Sequence, residues 1–238
     1  MLVRGLRHRE RIVDRVDGAQ YTFCVNPIIE AVPDALIFDT EFPCSLDQLL
    51  ALKAIGFRGG VRTVTVEKAV DPSDVTAKEV ENFMAAGLGL MLYQRPRNPG
   101  WLPSATLGKA DAEVFVAKAT AAQYMVGGTT WDDLEGIGGN GAATIAYANA
   151  KAVDMRAAKF FLGDYVGFDV PLTGDELFHD LVVTTYWRSL SNVPDVVKRG
   201  YSMIQIAENV PVAGVVVDIN LARADKLGGR PYWMRNAA

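Results

Sequence analysis

Ala35-Leu36-Ile37-Phe38-Asp39 is apolar for four residues and then stops on a carboxylate. The same punctuation recurs far downstream: Thr129-Thr130-Trp131 runs into Asp133 and Glu135, and Val215-Val216-Val217 ends at Asp218. In a barrel of parallel strands wrapped by helices, every strand C-terminus opens onto one face, so acids separated by most of the chain meet there. Outward from these runs, short β-branched segments alternate with longer amphipathic ones, the pattern of repeated β-α units. Strands are expected near 35–39, 60–66, 88–93, 128–133, 159–165, 182–187, 201–206 and 213–218. The expected fold class is therefore α/β: a single (β/α)8 TIM-like barrel over residues 35–238, preceded by an N-terminal arm or extension over residues 1–34.

Three helices announce their starts. Ser45-Leu46-Asp47-Gln48, Thr76-Ala77-Lys78-Glu79 and Thr173-Gly174-Asp175-Glu176 read as capping boxes, in which a hydroxyl and a side chain three residues on satisfy orphan amides. Gly56 and Gly87 are placed to end the first two. Ala-rich stretches over 109–125 and 141–157 predict helices that lie close to a sheet. Gly136, Gly138, Gly139 and Gly141 match neither G-x-G-x-x-G nor a Walker motif, so they read as a flexible rim loop rather than a phosphate cradle.

The 238 residues, 50% hydrophobic and 22% charged, suit one globular domain, and a formal net charge of −4 offers no general basic field for nucleic acid. Arg4, Arg7, Arg9, Arg11 and Arg15 are interleaved with Glu10 and Asp14 and read as a solvated arm. Within it, 11–16 has the mixed pattern of an edge strand. No run reaches the ~18 apolar residues of a membrane span, and residues 1–15 are too charged for a signal peptide. Cys24 and Cys44 lack metal spacing and read as buried thiols, and two histidines, His8 and His179, leave little for a His-based triad or zinc site. No cofactor and no metal are expected.

Asp133 and Glu135 are two apart, so on a strand they share a side with Trp131. Two close carboxylates repel, one pKa rises, and that is how a general acid is prepared for neutral pH. Glu135 is the expected acid. Cleaving a glycosidic bond needs that proton and a second carboxylate facing the oxocarbenium-like centre, for which Asp39, Asp133 and Asp218 are candidates. Trp131, Tyr186 and Trp187 offer aromatic surface for sugar rings. Gln205 is either a polar substrate contact or a hydrogen-bond partner of a neighbouring strand end.

These residues also carry a resemblance. Phe38-Asp39-Thr40, Ser45-Leu46, Leu52 to Phe57, Val75 to Val80, Ala85 to Leu90, Tyr93-Gln94, Asp132 to Glu135, Phe161 to Tyr165, Tyr186-Trp187, Gln205 and Val217 to Asn220 together resemble the glycoside-hydrolase-like domains related to the family 25 lysozymes. The similarity spans about residues 35–222. It implies a β/α barrel and metal-free, muramidase-type hydrolysis of peptidoglycan. The D-x-E pair at the fourth strand matches Asp133 and Glu135, and the first- and last-strand aspartates match Asp39 and Asp218. Tyr93 and Tyr165 join the expected substrate surface through the matched segments. The loop holding Glu41 and Pro43-Cys44 departs from the family pattern, as does Ile37. Similar domains occur in phages, so a lysin or a tail-tip component bound to other virion subunits, virion-associated or released to the cell wall, is the expected setting.

Two rival readings remain at this level. A catalytically inactive barrel would serve as a structural or wall-binding module, since fold does not guarantee activity. A barrel enzyme for phosphorylated metabolites would hold phosphate at loops 207–209 and 220–222, which lack a Gly-rich nest.

Overall fold

The computed structural model describes residues 28–236 and, before them, the antiparallel pair β1 (Arg15–Val16) and β2 (Ala19–Gln20). The remainder of the arginine-bearing arm and Cys24 lie outside the described residues, so the edge-strand reading of 11–16 is represented only by β1. After β3 (Ile28–Glu30) come β4 (Leu36–Thr40), α1 (Leu46–Ile55), β5 (Gly59–Val64), α2 (Ala77–Ala86), β6 (Gly89–Gln94), α3 (Ala105–Ala121) and β7 (Thr129–Leu134). They are followed by α4 (Gly141–Ala157), β8 (Phe161–Val166), α5 (Gly174–His179), β9 (Tyr186–Arg188), β10 (Met203–Val212), β11 (Val215–Ala222) and β12 (Tyr232–Met234). Strands β4 to β11 close into an eight-stranded barrel, because β6 pairs with β7 and β11 returns to β4. All eight strands expected from the sequence have a counterpart, and the molecule is a (β/α)8-type barrel.

Its last quarter departs from the regular repeat. β11 runs antiparallel to both β10 and β4. The link between β10 and β11 is Ala213-Gly214, both at positive φ (53° and 75°), the handedness of a tight hairpin turn. Residues 207–209 and 220–222 are consequently parts of strands β10 and β11, not loops, so the phosphate-holding loops of the rival reading are not there. Among the described residues no helix separates β9 from β10.

The helix starts follow local chemistry. Ser45 and Thr173 form complete capping boxes with Gln48 and Glu176. Thr76 caps α2 through its hydroxyl, but the expected box is incomplete there. Glu79 turns inward instead, pairing with the fully buried Arg62 at 2.6 Å and accepting from the Cys44 amide at 2.8 Å. A buried guanidinium without a carboxylate would cost several kcal/mol, which outweighs one cap bond. Gly56 and Gly87 end α1 and α2 as expected, and Cys44 is a buried free thiol. The Gly136–Gly141 loop is not loose: Gly136 N donates to Phe168 O at 2.8 Å, Gly138 N to Trp101 O at 2.9 Å, and Gly136 O accepts from Gly100 N at 2.7 Å.

Strand alternation sorts the core into two layers. Phe38, Leu90, Leu92, Leu134 and Val166 face the helices, where Phe38 stacks on Phe83 with centroids 5.9 Å apart. Ile37, Val61, Met91, Trp131, Trp187, Met203 and Trp233 fill the barrel. Trp233 belongs to β12, which pairs with β3 and touches β6 at Met234. The aromatic C-terminal segment is therefore no surface appendage at this residue: its indole is fully buried and closes the lower end of the barrel.

Gly59 and Gly89 make room for that ring, since a Cβ at either would overlap the Trp233 indole. Gly89→Ala is expected to lower stability by about 1–3 kcal/mol through overpacking, read as a lower midpoint in urea unfolding. An unchanged midpoint would show that the plug yields freely. No helix among the described residues is long and apolar enough to cross a membrane.

Candidate active site

The upper end of the barrel holds a cleft of about 380 Å³. It is lined by Asp39, Asp133, Glu135 and Asp218, with Tyr93, Tyr165, Trp187, Gln205 and Asn209 around them and Glu41, Phe42, Pro96 and Val216 at its rim. The four acids expected to converge thus share one cavity. Asp39, Asp133 and Glu135 arrive at the C-terminal ends of parallel strands. Asp218 arrives differently: it lies inside antiparallel β11, where its Cα faces that of Asp39 across the ladder.

Each carboxylate has its own environment. Asn220 Nδ2 donates to Asp39 Oδ2 at 2.6 Å, and Asn220 Oδ1 accepts from the Trp187 indole at 2.9 Å. On the neighbouring strand, Gln205 Nε2 donates to Asp218 Oδ2 at 2.7 Å while Tyr165 OH donates to Gln205 Oε1 at 2.9 Å. A bulge in β10 at 207–210 turns the Asn209 amide onto Asp218 Oδ1 at 2.7 Å. Trp187, Tyr165 and Gln205 therefore act as holders of the carboxylates. Asn220 was not singled out from the sequence, although its i, i+2 spacing from Asp218 places both on the same strand face.

Glu135 sits just beyond β7, its carbonyl accepting from Trp101 Nε1 at 2.8 Å. A methyl at Gly167 would overlap Glu135 Cβ and Oε2, so the absent side chain leaves the carboxyl its place. Asp133 is only 6% exposed, and its Oδ1 has no hydrogen-bond partner among the described residues.

These differences separate the four acids electrostatically. Burial, then the Asp218 charge, pushes Asp39 up to about 8. Burial and Glu135 drive Asp133 well above the carboxylate range. Burial, with Glu208 and Asp218 nearby, brings Glu135 to about 7. Burial also raises Asp218, but the Asn209 amide and Gln205 oppose the rise by bonding the ionised form. Burial thus biases all four toward the protonated form, with Glu135 brought into the neutral range, while Asn209 and Gln205 bond the ionised form of Asp218. Carboxylates pushed apart in this way are equipped for different jobs.

Two of the expected aromatic platforms lie elsewhere. Trp131 is fully buried below the cleft, edge-on to Trp187 with centroids 5.7 Å apart. Tyr186 points to the helix layer, where its hydroxyl donates to the carbonyls of Leu177 and Val183. Adjacent strand residues face opposite sides, so Tyr186 and Trp187 cannot both line one cleft. Tyr93 borders the cleft at 7% exposure and packs against Trp187.

Behind the site, between the barrel wall and helices α3 and α4, lies a polar cluster absent from the sequence reading. Lys151 Nζ reaches Asp132 Oδ1 at 2.5 Å and also Gln94 Oε1. Tyr147 OH donates to Asp111 Oδ2 at 2.8 Å, and Asp111 pairs with Arg97 at 2.6 Å. Asp164, beside Asp132 in the ladder, is driven well above the carboxylate range by burial and by Asp132.

No family model matches the sequence, and no curated protein does. Solved structures do match. The Tat-secreted protein Rv2525c of Mycobacterium tuberculosis is similar at 15% identity and a TM-score of 0.59, over 79% of this chain and 95% of that one. The bacterial lysozyme of Streptomyces coelicolor is similar at 15% identity and 0.55, over 81% and 93%. A family 25 glycosyl hydrolase of Bacillus anthracis is similar at 10% identity and 0.56, over 91% and 94%. The closed barrel and these likenesses agree: the chain has the fold of the family 25 lysozymes.

Proposed function

We propose that this protein cleaves the glycan strand of bacterial peptidoglycan by carboxylate chemistry. One observation carries the reading: four acids from three separate parts of the chain share a solvent-reachable cleft in different environments, burial bringing Glu135 to about 7 while Asn209 and Gln205 bond the ionised form of Asp218. Glu135 gives its proton to the glycosidic oxygen, because a sugar alkoxide leaves poorly without one. Asp218, whose ionised form Asn209 and Gln205 hydrogen-bond, faces the positive charge that builds on the ring. Asp133 and Asp39, biased by burial toward the neutral form, donate hydrogen bonds to substrate oxygens. Lysozyme and glycosyl hydrolase neighbours of the same fold support the substrate class. The virion setting, as lysin or tail-tip component, rests on the sequence resemblance.

The test is release of reducing ends from purified peptidoglycan across pH. The acid must be protonated, so the rate is expected to fall about tenfold per unit as pH rises above about 7. Asp218 must be ionised, so the rate also falls on the acid side. Binding to wall material with no reducing ends at any pH would replace this reading by the inactive, wall-binding module.

A further inference from the structure

The aromatic residues around the carboxylates are sealed: Tyr93, Tyr165 and Trp187 are 7%, 9% and 2% exposed. Phe42, on the cleft rim, is 58% exposed, and Val216 beside it is 40% exposed. An exposed phenyl has no polar atom and gains nothing from water. Its position is nevertheless fixed from several sides. The Phe42 amide donates to Thr40 Oγ1 at 3.1 Å, and that hydroxyl donates to Val216 O at 2.8 Å, tying the loop to the β10–β11 hairpin. On the other flank Glu41 pairs with Arg95 at 2.9 Å. Two residues on, Cys44 N is bonded to Glu79 and Ser45 caps α1. The hairpin tip is itself anchored, Gln48 Nε2 donating to Gly214 O at 3.0 Å.

The result is a preset apolar shelf continuous with an acid-lined floor. A pyranose ring has matching faces: C–H groups on one side for the phenyl, and hydroxyls at its edge for Glu41 and the carboxylates below. A ring stacked there loses little freedom in the protein, because the loop is already ordered. We propose that Phe42, with Val216 on the same cleft rim, is the platform of an additional sugar subsite that holds the glycan strand one or more rings away from the bond presented to Glu135. This rests on the glycan reading above.

The experiment uses glycan strands freed of peptide by amidase and fractionated into two-, four- and six-sugar lengths. Their binding is measured by calorimetry on Glu135→Gln and on Glu135→Gln/Phe42→Ala, which prevents turnover. Loss of Phe42 is expected to weaken six-sugar binding by about 3- to 10-fold, the scale of burying part of one phenyl, and to change two-sugar binding by less than about twofold. Phe42→Trp is expected to retain long-chain affinity. In the active protein, Phe42→Ala raises KM for long strands while the pH dependence of cleavage keeps its midpoints, because no carboxylate is disturbed. Equal affinities with and without Phe42, in a protein that does bind glycan, overturn the subsite alone. If no strand of any length binds the Glu135→Gln parent, the glycan reading falls and the subsite with it.

Discussion

Glu135→Gln is expected to reduce glycan cleavage by about 10²–10⁴-fold, the range that a positioned general acid supplies. Glutamine keeps the shape and the fit beside Gly167 but has no proton to give at any useful pH. The effect therefore falls on kcat, with binding of wall material and the unfolding midpoint near those of the parent. Burial raises Glu135 to about 7 in the folded protein, so its ionisation opposes folding as pH rises through that value. Removing it is accordingly neutral or mildly stabilising above pH 7. Reducing-end release and urea unfolding, measured on the same preparations, separate chemistry from folding. Cleavage at parental rates would move the acid to another carboxylate, with Asp133 the first alternative.

The second large effect lies away from the cleft. Lys151 and Asp132 are both fully buried and 2.5 Å apart. Lys151→Met leaves a carboxylate in a low-dielectric wall next to Asp164, and breaking a buried pair on one side costs about 3–5 kcal/mol. Desolvation already raises Asp132 above the usual carboxylate value. The penalty therefore shrinks as pH falls and Asp132 takes up a proton, so Lys151→Met is expected to be closest to the parent in acid and furthest from it above neutrality. Lys151→Met/Asp132→Asn is expected to recover much of the loss, because no buried charge is then left unpaired. Urea unfolding of both variants at acidic and neutral pH checks this. A single variant as stable as the parent at neutral pH would mean that the pair contributes no net stability.

The strand ends were legible because a parallel barrel strand is a short apolar run, and a carboxylate that ends it is easily seen. Ala35–Asp39 and Thr129–Glu135 carried that signal. The reversed β11 was also written in the chain, since the six residues between the expected strands 201–206 and 213–218 are too few for a helical crossover. The same short link is why Asp218 faces Asp39 across the ladder. Tyr186 and Trp187 were grouped although period two separates them.

The sequence by itself determined the order of strands and helices in the barrel, the helix starts at Ser45 and Thr173, and the acids that end strand-like runs, because these follow from periodicity and capping within a few residues. Tertiary structure alone decided that Asn220 holds Asp39, that Gln205 and Asn209 bond Asp218, that Trp233 closes the barrel and that Lys151 meets Asp132. Each of those depends on closure of the cylinder, which brings together side chains that are remote along the chain and withdraws them from water. The same withdrawal shifts their ionisation, so the differences among four chemically similar carboxyls exist only in the folded protein.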